Sequence, residues 1–145
     1  MNAAAFSGRV VRTPRLKIFG NSDGRGVVEI TIAVDKEYLS KEKREEYKSQ
    51  NKPTADFITI KAYGKHVTNY AENCWVGRMI EAKGRMENDN YEYEEEDGTK
   101  VKVYREVLRP DNERIRYLSW DKLENDIERN EYNGFTPVEN DEVPF

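Results

Sequence analysis

Aromatic and cationic side chains alternate with aliphatic ones in a predicted β-strand at residues 55–63. Successive side chains of a strand point to opposite faces, so the aliphatic Ile60 is expected to face a core. Phe57, Lys61 and Tyr63 would point to the other face, with about 20 Å between the two rings. Rings beside a cation suit an unpaired nucleic acid strand, because its bases stack on rings and its phosphates pair with amines. The alternative is that these rings cover an apolar patch or lie in a subunit interface.

Two more tyrosines lie in predicted connections next to this face. Tyr38 follows the preceding predicted strand, and Tyr91 opens a predicted hairpin whose turn is Asp97-Gly98. Tyr93 has the same parity as Tyr91, but the acidic residues around it are expected to repel phosphate, which disfavours this ring. The rings predicted to stack on bases are therefore Tyr38, Phe57, Tyr63 and Tyr91.

Basic residues supply the second part of the predicted site. The N-terminal stretch contains Arg9, Arg12, Arg15 and Lys17 and no acidic residue before Asp23. Such a stretch can attract a polyanion even on a protein of negative net charge, although a solvated strand face would have the same pattern. From charge and face, the predicted phosphate contacts are Arg9, Lys17, Lys61 and Arg85.

The charge of the chain is unevenly distributed. The 145 residues have a formal net charge of −4. Residues 1–110 hold 20 basic and 18 acidic side chains, whereas residues 111–145 hold 4 basic and 10 acidic ones. This length and pattern predict one domain at 1–118 followed by an acidic C-terminal segment at 119–145.

Few side chains are suited to catalysis or metal binding. The single cysteine, Cys74, excludes an internal disulfide and a Cys-rich zinc site, and the single histidine, His66, excludes a His pair. No Walker-type phosphate loop or nucleophile elbow is present. Residues 94–97 are acidic, but a hairpin would separate their side chains between its faces. We therefore predict a protein that is not an enzyme and that needs no metal or cofactor.

The hydropathy of the chain is low. Its mean hydropathy is −0.96, and no apolar run approaches 18 residues. The N-terminus lacks the positive-then-apolar order of a signal peptide. These features predict a cytoplasmic protein that does not associate with membranes.

The order of predicted elements favours a small barrel. Strands are expected at 3–18, 27–34, 55–63 and 78–86, a helix at 65–75, and a hairpin at 90–96 and 99–108. Five short strands with one helix between the third and fourth predict an all-β, five-stranded OB-fold barrel. Residues 40–54 could form a short exposed helix, but their high charge and lack of aliphatic residues favour a long loop.

The second predicted strand alternates clearly between apolar and polar residues. Val28, Ile30 and Ile32 have one parity, and Glu29 and Thr31 have the other. This pattern predicts a half-buried strand whose odd-numbered side chains face solvent.

These motifs together resemble the bacterial and phage single-stranded DNA-binding proteins that have one OB-fold per chain. The matching stretches are Asn2–Lys17, Gly26–Val34, Ala55–Lys65, Gly84-Arg85-Met86, Asp97-Gly98, Tyr104–Val107 and the terminal residues 139–145. The resemblance implies base stacking at the four rings already named, a DNA contact from Lys65, and a homotetramer. Tryptophan is common at those four positions in the family and is absent from them here, so stacking is expected to be somewhat weaker.

The acidic segment ends in an apolar tip. Its last residues, Asp141, Glu142, Val143, Pro144 and Phe145, resemble the partner-docking tip of the family. The acids would meet a basic rim, and Phe145 would enter a hydrophobic pocket. The alternative is a purely solubilising tail. Residues 119–129 could form a helix with Ser119 as its N-cap, which would shorten the reach of the tip.

The sequence thus predicts a protein that binds and protects single-stranded DNA with little sequence preference. It would act in replication, recombination and repair, and recruit proteins of these processes through its tip. The alternatives are an OB-fold protein that binds RNA, a protein–protein adaptor, and a nuclease with a carboxylate metal site.

Overall fold

The computed structural model describes residues 1–20 and 23–119 of the chain. The strands are β1 (Ala4–Val10), β2 (Arg15–Ile18), β3 (Gly26–Asp35), β4 (Ala55–Gly64), β5 (Met79–Asn88), β6 (Tyr91–Glu94), β7 (Lys100–Val103), β8 (Glu106–Pro110) and β9 (Arg116–Tyr117). The helices are α1 (Lys41–Ser49) and α2 (Val67–Asn73), and a 3-10 turn spans Asp111–Glu113. The predicted tip and all of the acidic segment except Ser119 lie outside the described residues.

Five strands close a barrel in the order β1, β3, β4, β8 and β5, with β5 pairing back to β1. The β4–β8 pair is parallel and the other pairs of the barrel are antiparallel. The interior is aliphatic, with Ile30, Ile60 and Leu108 fully buried. This arrangement confirms the predicted all-β, five-stranded OB-fold barrel, and the buried Ile60 confirms the inward face of β4.

The first predicted strand, at residues 3–18, is two strands in the structure. β1 pairs with β5 and β3, and β2 pairs with β3 further along. Pro14 lies in the break between them, where no backbone N–H is needed for a strand ladder.

β3 is buried on both faces, which corrects the prediction of a solvent-exposed face. Ile30 is buried as predicted, but Glu29 and Thr31 are each only 2% exposed. At Glu29 the reason is that the side chains of Arg15, from the paired strand β2, and of Arg105, which follows β7, approach its carboxylate on the outer side of β3.

The helix predicted between the third and fourth barrel strands is present as α2, and it buries Val67 against the core. Residues 40–54 contain a second helix, α1, where the sequence favoured a loop. The Ser40 side chain accepts a hydrogen bond from the backbone N–H of Lys43 at 3.2 Å and so caps this helix. None of its residues is buried, so α1 has no apolar stripe that periodicity could detect.

The barrel closes tightly at Gly84. This residue pairs with Ala4 on one side and with Pro110 on the other. A Cβ atom built on Gly84 would lie 1.9 Å from the backbone oxygen of Arg109. The Gly-Arg-Met motif therefore has a structural reason: only glycine allows this approach of β5 to β8.

The predicted hairpin around Asp97-Gly98 is confirmed, but it is shorter than expected. β6 and β7 form a separate two-stranded sheet, with Tyr91 opposite Val103. The chain then returns to the barrel as β8. The hairpin projects from the connection between β5 and β8, next to the outer face of β3 and β4.

Candidate nucleic-acid interface

The outer face of β1 to β4 arranges predicted cations and rings in rows across the strands. Lys17 and Tyr63 lie on either side of Val27 in the strand register. Arg9 and Phe57 lie on either side of Ala33, nearer the end of β3. Directly opposite residues point to the same face. In each row the backbone positions of the cation and of the ring are therefore about 10 Å apart, two strand spacings.

Phe57 is half-buried and does not belong to the barrel core. It packs against Val11, Ala33 and Ala55, a small apolar cluster at the outer face. One side of the ring is therefore supported by the protein, and part of the ring remains accessible to a ligand.

Tyr63 is also half-buried, and two cations flank its ring. The guanidinium carbon of Arg109 lies 4.4 Å from the ring centroid and the Nζ atom of Lys61 lies 5.9 Å from it. The backbone N–H of Tyr63 donates to a carboxylate oxygen of Glu113 at 2.8 Å. The position of the ring is thus fixed through its backbone and through cation–π contacts.

Tyr38 is 74% exposed and lies near the end of β4 that contains Phe57. Lys36 connects the two, because its Nζ atom lies 5.9 Å from the Tyr38 ring centroid and donates to Asp56 at 2.6 Å. The hydrogen bond to Asp56 raises the pKa of Lys36.

Tyr91 is half-buried at the base of the hairpin. The guanidinium carbon of Arg105 lies 5.4 Å from its ring centroid. The ring of Tyr93, which the sequence disfavoured, lies 6.4 Å from the Tyr91 ring between centroids. The two tyrosines therefore form one aromatic surface on the hairpin.

The remaining predicted cations differ in exposure. Lys17 and Lys65 are exposed, and Lys65 follows Gly64, whose φ of 118° turns the chain out of β4. Arg9 is half-buried and its guanidinium donates to the backbone oxygen of Gly77 at 3.4 Å. Arg85 is exposed and lies 3.4 Å from the Glu87 carboxylate.

Lys61 is not the exposed cation that the sequence predicts. It is 7% exposed, and its Nζ atom donates to both carboxylate oxygens of Asp89 at 3.1 Å. Asp89 also pairs with Arg105, which pairs with the buried Glu29, and Arg15 lies 3.7 Å from Glu29. We refer to these five residues, Arg15, Glu29, Lys61, Asp89 and Arg105, as the ion cluster. The ion cluster occupies the middle of the face, between the rows of Phe57 and Tyr63. Lys61 is therefore buried because the base of the hairpin brings Asp89 over β4.

The ionisation of the ion cluster is set by its mutual pairing. Burial acts to raise the pKa of Asp89, but the hydrogen bonds from Lys61 and Arg105 outweigh burial and hold this pKa below its ordinary value. Burial disfavours the charged form of Arg105, yet Glu29 and Asp89 hold the pKa of Arg105 above its ordinary value. Asp89 and Arg105 are therefore both held more firmly in their charged forms.

Three residues of this face were not assigned from the sequence. Arg109 contacts Tyr63 and Arg105 contacts Tyr91, whereas Tyr104 is 75% exposed beside the hairpin. The parity of β8 and the turn chemistry of the hairpin could have indicated an outward arginine and an exposed ring. The pairing of Arg105 with residues far along the chain gives no local signal.

The sequence model of the single-strand binding protein family matches residues 1–110. The chain belongs to this family.

Individual relatives in the single-strand binding protein family extend the match beyond the barrel. A protein named single-stranded DNA-binding protein from Clostridium tetani is 29% identical over 161 aligned positions, which cover the whole of both chains. One of the same name from Fusobacterium nucleatum is 36% identical over 104 positions, covering 72% of this chain and 60% of that one.

A solved structure from the family shares the fold. A crystal structure of a deletion mutant of the single-stranded DNA binding protein from Thermus aquaticus superposes with a TM-score of 0.53 and 16% identity. The superposition covers 83% of this chain and 42% of that one. At this identity the likeness concerns the fold alone.

The single cysteine and the single histidine differ in exposure. Cys74 is buried, and burial raises its pKa to about 12. His66 is exposed and makes no side-chain cap bond at the start of α2. Within residues 1–20 and 23–119, no three His, Cys, Asp or Glu side chains gather as a metal would require. Neither α1 nor α2, the helices of that part of the chain, is long and apolar enough to cross a membrane.

Proposed function

We propose that this chain binds single-stranded DNA with little sequence preference and shields it from nucleases and from re-pairing. The observation that supports this most directly is the arrangement of the outer face, where Arg9 shares a row with Phe57 and Lys17 shares a row with Tyr63. Each base that stacks on a ring contributes about 1–3 kcal/mol, whatever its identity, because every base has a π-face. The cations in the same rows pair with the phosphates between those bases.

Tyr38 and Tyr91 extend this path beyond β4. Tyr38 lies beside the Phe57 end of the face, and Tyr91 is joined to the centre by Arg105 and the ion cluster. A strand that follows the face therefore meets rings at both ends and on the hairpin. The names of the relatives in the single-strand binding protein family agree with this ligand.

The test is the binding of a long labelled oligothymidine, measured by fluorescence anisotropy. The Phe57→Ala/Tyr63→Ala variant is expected to lose on the order of 2–6 kcal/mol of binding free energy if the two losses add. Because Phe57 packs on an apolar cluster, the control is Phe57→Leu/Tyr63→Leu, which keeps apolar volume and removes both flat rings. Equal losses in the two variants support stacking. An unchanged dissociation constant in the folded variants would show that the rings are structural.

Competition separates this ligand from RNA. We expect single-stranded DNA to displace RNA of matched sequence more effectively than the reverse. Tighter binding of the RNA would assign the face to RNA instead. Cleavage of the DNA on addition of magnesium would contradict a binding protein and favour a nuclease, and failure to bind either nucleic acid would favour a protein adaptor.

The proposal includes recruitment of replication, recombination and repair proteins through the acidic tip, Asp141 to Phe145. The support is the sequence of the tip, in which acids precede an apolar end: acids alone would be enough for solubility.

We also propose a homotetramer that works in the cytoplasm. The resemblance to the family supports four copies, and Leu16, Ile18 and Phe19 offer an exposed apolar surface that assembly would bury. Mass measurement with and without oligothymidine gives the number of subunits and the ligand together. A monomer in both states would contradict the tetramer.

A further inference from the structure

A cavity of about 270 Å³ lies at the base of the β6–β7 hairpin and shares no residue with the rows of Phe57 and Tyr63. Its walls are Asn90, Tyr91, Glu92, Lys102, Val103 and Tyr104. The volume is somewhat below the roughly 300–1,000 Å³ of pockets for drug-sized ligands, so a smaller flat group such as one nucleobase fits its size.

Tyr104 is the most unusual side chain of this cavity, because 75% of it is exposed. The backbone on both sides of Tyr104 is held. Val103 pairs with Tyr91 in the hairpin, and the backbone N–H of Arg105 donates to the Asn90 side-chain oxygen at 3.0 Å. The exposed ring is therefore presented by a fixed part of the chain, as a stacking surface requires.

The polar groups of the cavity match the other parts of a nucleotide. Glu92 and Lys102 lie opposite each other in the hairpin register, so the lysine offsets the acid and offers a partner for a phosphate. The oxygen of the Asn90 amide already accepts from Arg105, and its nitrogen is the group with hydrogens to offer a base. A ring, a cation and an amide thus line one small cavity.

We propose that this cavity is a subsite for one unpaired nucleobase, which stacks on Tyr104 beside Tyr91 while Lys102 pairs with a neighbouring phosphate. The inference rests on the proposed binding of single-stranded DNA and adds Tyr104 to Tyr91 as a second base position on the hairpin. The DNA path then leaves the barrel face past Arg105 and continues onto β6 and β7. The acids at the hairpin tip do not exclude it, because the cavity lies at the base of the hairpin.

The test uses the full chain and a long oligothymidine. Tyr104→Ala is expected to raise the dissociation constant about 5- to 150-fold, the range that corresponds to one stacked base. Tyr104→Phe keeps the ring and is expected to stay within about twofold of the wild type. Since Tyr104 is exposed, both variants are expected to fold, and circular dichroism checks this. In a second measurement, oligonucleotides substituted with 5-iodouracil are irradiated on the wild-type protein, and mass spectrometry is expected to find a cross-link at Tyr104.

Each other outcome has a distinct meaning. Wild-type affinity in Tyr104→Ala, together with a loss in the Phe57→Ala/Tyr63→Ala variant, would overturn the subsite and leave the proposed function standing. A loss in Tyr104→Ala without a cross-link at Tyr104 would also overturn the subsite, because the effect would then be indirect. No binding of oligothymidine by the wild type would overturn both proposals.

Discussion

The ammonium group of Lys61 donates to both carboxylate oxygens of Asp89, and this contact joins the middle of β4 to the base of the β6–β7 hairpin. Arg105 binds the same carboxylate, and the backbone N–H of Asp89 donates to the Arg105 backbone oxygen at 2.9 Å. Two cations at the centre of the candidate interface are therefore already neutralised by the protein. Their first effect is to position the hairpin with Tyr91. The exposed cations Lys17 and Lys65 lie at the Tyr63 end of the face instead.

Asp89→Asn is expected to change the salt dependence of DNA binding. Removing the carboxylate charge leaves Glu29 as the remaining partner of Arg105 and gives the ion cluster one more uncompensated positive charge, so affinity for oligothymidine rises. The plot of log K against log salt concentration then steepens by about 0.7 for one added phosphate contact on a single strand. Anisotropy titrations over a series of salt concentrations measure this slope. Asp97→Asn at the hairpin tip is the control, because it removes the same charge and its carboxylate binds the backbone N–H of Thr99 rather than a cation. Equal slopes in the two variants would refute a specific role of Asp89.

The same carboxylate is expected to make stability depend on acid pH. The pKa of Asp89 in the folded chain lies below its ordinary value of 3.8, so its contribution is complete above about that pH and disappears as the pH falls through the folded value. At neutral pH Asp89→Asn should cost about 1.5–3 kcal/mol, the usual contribution of a hydrogen bond to a charged group. Urea unfolding at a series of pH values is expected to show this difference shrinking below pH 3.8. A difference that stays constant through that range would mean that the Asp89 charge contributes nothing.

Arg109 is expected to act on DNA binding through Tyr63. Its guanidinium carbon lies 4.4 Å from the Tyr63 ring centroid, so it holds the ring as a positioning residue. Arg109→Lys should weaken oligothymidine binding by about 0.5–1 kcal/mol, and Tyr63→Ala by about 1–3 kcal/mol. The double variant should bind no more weakly than Tyr63→Ala alone, which a double-mutant cycle measures. Additive losses would instead mean that Arg109 contacts the DNA itself.

The parity of β4 and the turn signals locate the barrel and the four rings from sequence, because both are local properties. Phe57 and Tyr63 are on the outer face of β4, and Tyr38 and Tyr91 are in the connections next to it, as predicted. Parity also gives the correct face for Lys61. It cannot give the exposure of Lys61, because that depends on Asp89, 28 residues later in the chain.

Two other differences have similar physical causes. The outward parity of Glu29 is correct, but Arg105 reaches it from 76 residues later and buries it. For α1 a short exposed helix was only the less favoured alternative to a loop, because a helix without an apolar face is stabilised by its cap and its charges, and neither produces a hydrophobic period. Long-range ion pairs and helices without a buried residue are thus the features that local patterns do not reveal.

Cys74 is expected to be unreactive in the folded protein. It is fully buried, and burial raises its pKa to about 12, so at pH 8 roughly one thiol in ten thousand is the reactive thiolate. A disulfide reagent such as Ellman's reagent should react with one thiol in guanidinium and hardly at all in native buffer. Burial raises the Cys74 pKa from 9.0 to about 12, so the folded state favours the neutral thiol. The free energy of unfolding therefore keeps the full contribution of the buried thiol below pH 9.0 and loses it as the pH rises toward 12. Rapid native reaction at pH 8 would contradict the buried position.

Deletion of residues 137–145 is expected to separate the two proposed activities, DNA binding and partner docking. The deleted residues contain three acids and the apolar tip, so binding of oligothymidine should be unchanged or tighter because an acidic competitor for the basic face is removed. Proteins that the full chain retains from a bacterial lysate, and that a free peptide of residues 137–145 displaces, should no longer be retained. The matched control replaces Glu139, Asp141 and Glu142 by their amides, which removes the charge and keeps Phe145. If the control binds DNA as tightly as the deletion variant and still retains partners, charge governs the competition and Phe145 governs the docking. Weaker DNA binding after the deletion would show that the tip belongs to the DNA site, and an unchanged set of retained proteins would show that it does not dock partners.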